Sequence, residues 1–245
     1  MKHPYHGVMF WQLLSEIMDW LHPPICIGCG QEFADTLGLC DGCQEKIYPK
    51  NLVFCLNCGS PVPVSLAADS PCGQCIGKRS DFDQVVVMGE YKDFLRQLVL
   101  KGKSKAGELL MEVLGYQIAK RKGGLLQSFG KIEVTAIPSP WSRTLFRGHN
   151  PAASLACGVA EGLGIPLNLG LLRRACSTPH QSSLPKKERL KAIQGAFKMG
   201  KRTQAETILL VDDVMTTGAT LREAAKVLKT GGVGKIVPVI LARTP

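Results

Sequence analysis

Apolar residues follow two different periods along the chain, and these periods predict its main elements. Short apolar runs predict strands, and longer stretches with apolar residues three or four positions apart predict helices. The run Thr207–Val211 is almost entirely apolar, which is typical of a strand buried on both faces of a parallel sheet. The predicted strands are 84–89, 132–137, 207–211 and 236–241, and the predicted helices are 93–121 (broken near 102–107), 151–163 and 217–230.

Strands that alternate with helices in this order predict an α/β fold, a doubly wound parallel sheet flanked by helices. We expect residues 79–245 to form this domain. Ligands of such sheets bind at the carboxyl ends of the strands. Residues that directly follow a predicted strand are therefore the first candidates for a functional site.

The N-terminal segment has a different pattern. Apolar residues between Phe10 and Leu21 follow helical spacing and Pro23 ends it, so residues 1–24 are predicted to form an amphipathic helix. Acidic residues on its polar side favour packing on the protein's own body over binding to anionic lipid. No apolar run approaches the roughly 18 residues that a transmembrane helix needs. The segment also lacks the pattern of a signal peptide, so we expect the protein in a reducing cytoplasm.

Eight of the ten cysteines lie within residues 26–75, in four C-x-x-C pairs. In a reducing compartment such spacing indicates metal binding, because two thiolates on one tight turn can take adjacent corners of a tetrahedron. Two turns complete one site, so residues 25–78 are predicted to form a double zinc ribbon with two structural zinc ions. The ligands would be Cys26, Cys29, Cys40, Cys43, Cys55, Cys58, Cys72 and Cys75.

A weak internal repeat bears on which pairs share a metal. The first and third pairs read CIGCG and CLNCG, each with a glycine after the second cysteine, at Gly30 and Gly59. Glycine permits the positive φ that turns backbone N–H groups toward sulfur. The repeat favours sequential pairing, Cys26–Cys43 and Cys55–Cys75, while a cross-braced pairing stays open. Because this segment is acidic, a scaffold or partner-docking role is favoured over contact with DNA.

Charge is distributed unevenly along the chain. The net charge of +10 is the sum of −2 over residues 1–80 and +12 over residues 81–245. The basic excess therefore lies in the predicted α/β domain. It indicates an anionic ligand there, either a small phosphate compound or a nucleic acid, beside the alternative of a solubilising surface.

The most specific motif is ILLVDDVMTTGAT at residues 208–220. A buried strand leads to the adjacent carboxylates of Asp212 and Asp213, and a Thr/Gly loop with Gly218 then opens a helix. N–H groups at the positive end of a helix dipole form an anion site. Carboxylates beside such a site suit a ligand that carries hydroxyls next to a phosphate, as a sugar phosphate does. The alternative is that these residues only cap the helix.

This motif closely resembles the phosphoribosyl diphosphate (PRPP) motif of type I phosphoribosyltransferases. With the cysteine ribbons, the chain resembles the ComF family over roughly residues 10–243. Further matching segments are the basic turn Leu100–Lys103, the stretch Ile137–Trp141 with Arg143 and Arg147–Asn150, and a hood that includes Arg173, Arg174, Thr178, Gln181, Leu184, Arg189, Ala196 and Phe197. The chain departs from the family at His149-Asn150-Pro151, where an aromatic residue, Asn and Gln are usual, and after Arg174, where no further basic residue follows.

The resemblance implies a site and a cofactor. Asp212 and Asp213 would hold the ribose hydroxyls of PRPP and act as catalytic carboxylates near a cation-like sugar. The 5′-phosphate would bind at Thr216, Thr217, Gly218, Ala219 and Thr220. The loop 138–147 would face the pyrophosphate, with Arg143 and Arg147 as its candidate ligands. Mg²⁺ would bridge pyrophosphate and ribose oxygens, since it binds phosphates with few protein ligands.

Two functions follow from the resemblance. The first is a phosphoribosyltransferase that moves the phosphoribosyl group of PRPP to an unknown acceptor and releases pyrophosphate. The second is a non-catalytic protein that handles single-stranded DNA during uptake in competence and uses the fold as a PRPP or nucleotide sensor. The zinc ribbons would then dock a DNA-uptake protein. The two functions do not exclude each other.

Overall fold

The computed structural model describes six segments of the chain, and the predicted helix at 1–24 and hood residues 176–192 lie outside them. The described residues are 25–32, 38–48, 52–65, 72–77, 80–175 and 193–244, with Arg143 described by its backbone alone. The chain divides into two units, residues 1–45 and 46–245. The predicted domain boundaries at 24/25 and 78/79 stay predictions.

Six helices and eight strands lie in the described part of the chain. The helices are α1 (Asp41–Ile47), α2 (Asp93–Gly102), α3 (Glu108–Gln127), α4 (Trp141–Arg147), α5 (Pro151–Leu163) and α6 (Ala219–Thr230). The strands are β1 (Leu52–Phe54), β2 (Pro61–Pro63), β3 (Val86–Glu90), β4 (Ile132–Ala136), β5 (Leu172–Arg174), β6 (Phe197–Met199), β7 (Thr207–Met215) and β8 (Lys235–Arg243). None of these helices is both long and apolar enough to cross a lipid bilayer.

A four-stranded parallel sheet forms the centre of the second unit. Its strand order is β3–β8–β7–β4. Val211 of β7 lies opposite Ala136 of β4 and Val239 of β8, so the carboxyl ends of β4 and β7 are neighbours at one edge of the sheet. This architecture confirms the predicted α/β fold with a parallel sheet flanked by helices.

Both faces of the sheet are buried, as the apolar composition of β7 predicts. One face packs against α6, whose Leu221, Ala224 and Leu228 join a core with Ile208 and Leu210 of β7. The antiparallel pair of β5 and β6 contributes Leu172 and Phe197 to the same core. Helix α5 packs on β4 and β7 over the opposite face, and α3 contacts both α5 and β8.

The structure also differs from the sequence-based expectation in local detail. Strand β7 continues to Met215, because β8 pairs with it up to Arg243. Helix α6 begins at Ala219, since Gly218 has a positive φ of 73° that an α-helix does not accommodate. Residues 141–147, expected as part of a loop, form the short helix α4, which ends where Gly148 adopts a φ of 85°.

Glycines bring α3 and α5 into backbone contact. A Cβ atom added at Gly158 of α5 would lie 1.9 Å from the Glu112 carbonyl oxygen, and one at Gly115 of α3 would lie 2.1 Å from the Leu155 carbonyl oxygen. No side chain fits at either position without separating the helices. The close approach of α3 therefore depends on these two residues, and α5 in turn covers β7.

We predict opposite effects for two glycine-to-alanine changes in these helices. Gly158→Ala should lower the free energy of unfolding by about 1–3 kcal/mol, because it overpacks a buried contact. Gly124→Ala, at an exposed position of α3 with nothing within 4 Å of the new Cβ, should raise it by about 0.5–1 kcal/mol through helix propensity. Urea unfolding of both variants tests this, and equal effects would contradict the proposed contact.

Candidate functional site

A pocket of about 400 Å³ lies at the carboxyl end of β7. Its floor is formed by the end of β7 and the loop that follows, and its opposite wall by the segment after β4. Seven of the sequence-predicted site residues line it: Asp212, Asp213, Thr216, Thr217, Gly218, Ala219 and Thr220. Arg147, at the end of α4, lines it too, whereas the side chain of Arg143 lies outside the described part of the structure.

The two carboxylates are held by the backbone and by one lysine. The Asp213 N–H donates to Asp212 Oδ1 at 2.9 Å, and the Val214 N–H donates to Asp213 Oδ1 at 2.7 Å. Lys103, just after α2, donates from Nζ to Asp213 Oδ2 at 2.9 Å. Burial raises the pKa of Asp212 well above its usual value, and the adjacent Asp213 carboxylate raises it further.

Two arginines hold the loop after β7 from behind. Arg222 Nη2 donates to the Thr217 carbonyl at 2.7 Å, and Arg243 Nη1 donates to the carbonyls of Met215 (3.2 Å) and Thr216. A peptide unit is planar and trans, so each N–H points away from the carbonyl of the preceding residue. The N–H groups of Thr216, Thr217 and Gly218 are therefore directed away from the arginines.

These N–H groups are available to a ligand. Within the described residues, those of Thr216, Thr217, Gly218 and Thr220 donate to no protein acceptor. Thr217 Oγ1 instead accepts from the Ala219 N–H at 3.3 Å. Free N–H groups at the start of a 12-residue helix form an anion site that also has the favourable end of the helix dipole.

Asn150 organises the opposite wall. Its Oδ1 accepts from the Ala152 N–H at 3.2 Å and from Ser139 Oγ at 2.7 Å, and its Nδ2 donates to the Ile137 carbonyl at 3.0 Å. One side chain thus caps α5 and fixes the segment after β4. Pro151 follows at the first position of α5, where its missing N–H is not needed.

The cysteines form two four-thiolate clusters in sequential pairing. Cys26, Cys29, Cys40 and Cys43 make the first cluster and Cys55, Cys58, Cys72 and Cys75 the second, and within each all sulfur atoms lie within 4.8 Å of one another. The distance from Cys29 Sγ to Cys40 Sγ is 3.8 Å and that from Cys58 Sγ to Cys72 Sγ is 3.5 Å. Zn–S bonds of about 2.3 Å in a tetrahedron separate the sulfur atoms by about 3.8 Å, so both clusters fit zinc.

Backbone N–H groups favour the thiolate form of one cysteine in each cluster. Burial raises the pKa of Cys26, but hydrogen bonds from the N–H groups of Cys40, Cys29 and Gly28 more than offset this and lower it to about 6. A similar set of N–H groups lowers the pKa of Cys55 to about 7 despite its burial. The repeated glycines have the expected positive φ, 77° at Gly30 and 69° at Gly59.

Comparisons with known proteins agree with this combination of parts. A family model of the double zinc ribbon domain matches residues 17–76, and one of the phosphoribosyl transferase domain matches residues 152–245. The chain is 31% identical to competence protein F of Haemophilus influenzae over 230 residues, which cover 89% of this chain and 96% of that protein. The chain belongs to the ComF family.

More distant relatives cover the chain to a similar extent. DNA utilization protein YhgH of Salmonella typhimurium is 28% identical over 91% of this chain and 98% of its own length. Competence protein ComFC of Bacillus subtilis is 25% identical over 89% of this chain and 94% of its own length. The parallel sheet and the two four-cysteine ribbons of the structure are thus the architecture that the ComF resemblance implies.

The main departure from the ComF pattern is accommodated by a buried hydrogen bond. His149 stands where the family usually has an aromatic residue, and it is 5% exposed. Its Nε2 lies 3.0 Å from the Gly102 carbonyl, which can only accept, so Nε2 is the donor of this hydrogen bond. His149 thereby connects the segment that holds Asn150 to the end of α2, one residue before Lys103.

The sequence predicted the loop and the two carboxylates of the site, but not the residues that hold them in position. Lys103 belongs to the basic turn that resembles the family's, yet the sequence gives no sign that it pairs with Asp213. Arg222 and Arg243 lie in an amphipathic helix and at a strand end, where a basic residue is ordinary. Asn150 carried a signal that could have been used, since Asn followed by Pro at the start of an apolar helical stretch is typical of a helix cap.

We predict that Asp212→Asn stabilises the protein. The folded-state pKa of Asp212 is raised, so its ionised form destabilises the fold, and the penalty grows as the pH rises through that pKa. Asparagine keeps the Oδ1 acceptor and removes the repulsion, so the free energy of unfolding at pH 7 should rise by about 0.5–2 kcal/mol. The gain should vanish at acidic pH.

The measurement is urea unfolding of wild type and variant between pH 4 and 8. Asp81→Asn is the control: Asp81 has a 58% exposed side chain and pairs with Arg222 at 3.6 Å, so its effect should stay within about 0.5 kcal/mol. A destabilised Asp212→Asn variant at pH 7 would contradict the assigned electrostatics.

Proposed function

We propose that the chain binds PRPP with Mg²⁺ in this pocket and transfers the phosphoribosyl group to an acceptor. The observation that supports this most is the juxtaposition of two carboxylates and a row of free N–H groups in one pocket. A phosphate alone would be repelled by Asp212 and Asp213. A ligand with a phosphate at one end and hydroxyls nearby uses both groups at once.

Each part of the pocket has a role in this proposal. The loop Thr216–Thr220 binds the 5′-phosphate through the free N–H groups of Thr216, Thr217, Gly218 and Thr220. Asp212 and Asp213 accept hydrogen bonds from the ribose 2′- and 3′-hydroxyls. Arg147 faces the pyrophosphate, and Arg143 is the second candidate in that segment. Mg²⁺ bound with PRPP would neutralise charge on the pyrophosphate. The donor set fits the ion, since Mg²⁺ takes carboxylate and phosphate oxygens.

Transfer replaces one bond at the anomeric carbon with another. The bond from that carbon to the pyrophosphate oxygen breaks, the oxygen leaves with the electron pair, and a nucleophilic atom of the acceptor bonds to the carbon. The sugar becomes cation-like on the way, and the fixed charges of Asp212 and Asp213 stabilise it. Lys103 holds Asp213 in place through the 2.9 Å ion pair.

Calorimetric titration with PRPP and Mg²⁺ tests binding. We expect Asp213→Asn to weaken binding by about 10- to 100-fold, because charge-assisted hydrogen bonds to the ribose are lost. Glu161→Gln, which removes a carboxylate of α5 that does not line the pocket, should bind as wild type does. No heat with wild type, or equal affinity in Asp213→Asn, would exclude this site. Pyrophosphate release with added nucleobases then tests the transfer step.

A second function, the handling of single-stranded DNA, is favoured by the surface around the pocket. Trp141 and Phe146 of α4 are 77% and 78% exposed, and such aromatic residues stack on unpaired bases. In the pair of β5 and β6, Arg173 lies directly opposite Lys198, and both are exposed. Like charges in that position repel, so an anionic ligand would stabilise the pair.

The rest of this region is basic as well. The described residues 165–175 and 193–205 contain no Asp or Glu, and their five cationic residues are Arg173, Arg174, Lys198, Lys201 and Arg202. The names of two relatives, competence protein F and DNA utilization protein YhgH, agree with a role in competence and the use of DNA. In that role the zinc ribbons would dock another uptake protein.

Fluorescence anisotropy with a labelled oligo-dT and the full chain tests this function. We expect affinity to fall as salt rises, and Trp141→Ala to weaken binding by about 10-fold through the loss of one stacked base. Leu109→Ala removes an apolar side chain of α3 that is 62% exposed and should leave binding unchanged. Salt-independent binding, or equal losses in the two variants, would contradict a stacking surface on α4.

A further inference from the structure

Arg243 connects the loop of the candidate site to another part of the second unit. It is the last residue of β8, and its side chain is half-buried. On the side that faces the loop after β7, Arg243 Nη1 donates to the carbonyls of Met215 at 3.2 Å, Thr244 at 2.9 Å, and Thr216. These bonds fix the orientation of the Thr216 and Thr217 N–H groups, because each follows a carbonyl that Arg243 holds.

The opposite side of Arg243 faces the second cysteine cluster. Gly59, next to the ligand Cys58, packs so closely on β3 that an added Cβ would lie 2.9 Å from Val87 Cγ2, and it would be 3.8 Å from Arg243 Cδ. The Val85 N–H also donates to the Leu56 carbonyl at 2.6 Å. The turn Cys55–Gly59 is therefore seated on β3 and on the aliphatic part of the arginine.

On this side the guanidinium has no acceptor of its own among the described residues. Within the described residues no carboxylate lies within ion-pair distance of Arg243, and its Nε is buried without an acceptor. The packing of the turn Cys55–Gly59 against its aliphatic part is thus what holds the arginine on this side.

We propose that Arg243 is a positioning residue that couples the second zinc centre to the phosphate-binding loop. The turn Cys55–Gly59, whose shape zinc would fix, packs on the aliphatic part of Arg243. The guanidinium in turn holds the carbonyls of Met215 and Thr216, so that the following N–H groups stay directed to the pocket. Loss of zinc from this centre should therefore loosen the loop, whereas loss of zinc from the first centre should not. The consequence for PRPP rests on the proposed function, but the ordering of the loop does not.

Hydrogen exchange of the full chain, followed at the hydrogen-bonded amides of Ala219, Arg222 and Thr244, tests the coupling without any ligand. These N–H groups donate to Thr217 Oγ1, to the Gly218 carbonyl and to the Met215 carbonyl, so their protection reports the order of the loop. Cys58→Ser should remove one of two bound zinc ions, as counted by metal analysis, and speed exchange of these amides by about 10-fold. The matched variant Cys29→Ser, in the first centre, should also lose one zinc ion but change their exchange by less than about twofold. Equal acceleration in both variants would overturn the proposal.

A double-mutant cycle separates coupling through Arg243 from general loosening of β3. Arg243→Met should reproduce the acceleration, and adding Cys58→Ser to it should have less than about a twofold further effect. Arg222→Met also frees a loop carbonyl but keeps Arg243, so Cys58→Ser should retain its full effect in that background. If the fold-changes in exchange caused by Cys58→Ser and Arg243→Met multiply in the double variant, the two residues act independently and the coupling is refuted. If Arg243→Met does not fold, Arg243→Lys, which keeps the charge and loses the planar fork, takes its place.

Titration of the same variants with PRPP and Mg²⁺ gives a second readout. Cys58→Ser and Arg243→Met should each weaken PRPP binding by about 10-fold, and Cys29→Ser should not. If wild type does not bind PRPP, the proposed function fails while the exchange experiment still decides the coupling. If wild type binds PRPP and all variants bind it equally, the coupling fails while the proposed function stands.

Discussion

The loop after β7 has to keep backbone N–H groups free next to two carboxylates, and most of the site can be understood from that requirement. Free N–H groups and adjacent like charges are both unfavourable in a folded chain. Neither would persist without outside support, because the loop could turn its carbonyls inward or Asp212 could take up a proton. Arg222 and Arg243 prevent the first by holding the carbonyls behind the loop. Lys103 opposes the second through its ion pair with Asp213.

The supports come from distant parts of the chain, and this accounts for much of the fold. Lys103 follows α2, Arg222 lies in α6, and Arg243 ends β8. Each element is fixed by burial: α6 packs on one face of the sheet, and β8 lies at its centre between β3 and β7. A sheet covered on both faces thus provides the rigid base that a loop of free N–H groups requires.

Local chemistry could be predicted from the sequence, and long-range contacts could not. An apolar run, two carboxylates and a glycine before a helix identify the loop, because positive φ at Gly218 and the N–H groups of a helix start are properties of a few consecutive residues. The sequential cysteine pairing followed from a glycine repeat for the same reason. The pairing of Lys103 with Asp213 joins residues on separate elements, and only packing determines which lysine reaches the carboxylate. Helix α4 was missed because a proline before it and a glycine after it also suit a loop.

The second ribbon packs at a position that the need for a metal in place of a hydrophobic core does not explain. A stretch of some twenty residues with few aliphatic side chains needs a metal to fold, but this requirement does not decide where the ribbon sits. Its turn lies on β3, with Gly59 in contact with Val85 and Val87, and these valines belong to the core that also contains Ile208 and Leu210 of β7. Because the aliphatic part of Arg243 lies beside the same glycine, the turn also packs at the end of β8, where the loop after β7 is held. A ribbon that needs a metal to fold therefore packs beside the residue that holds the loop of the candidate site.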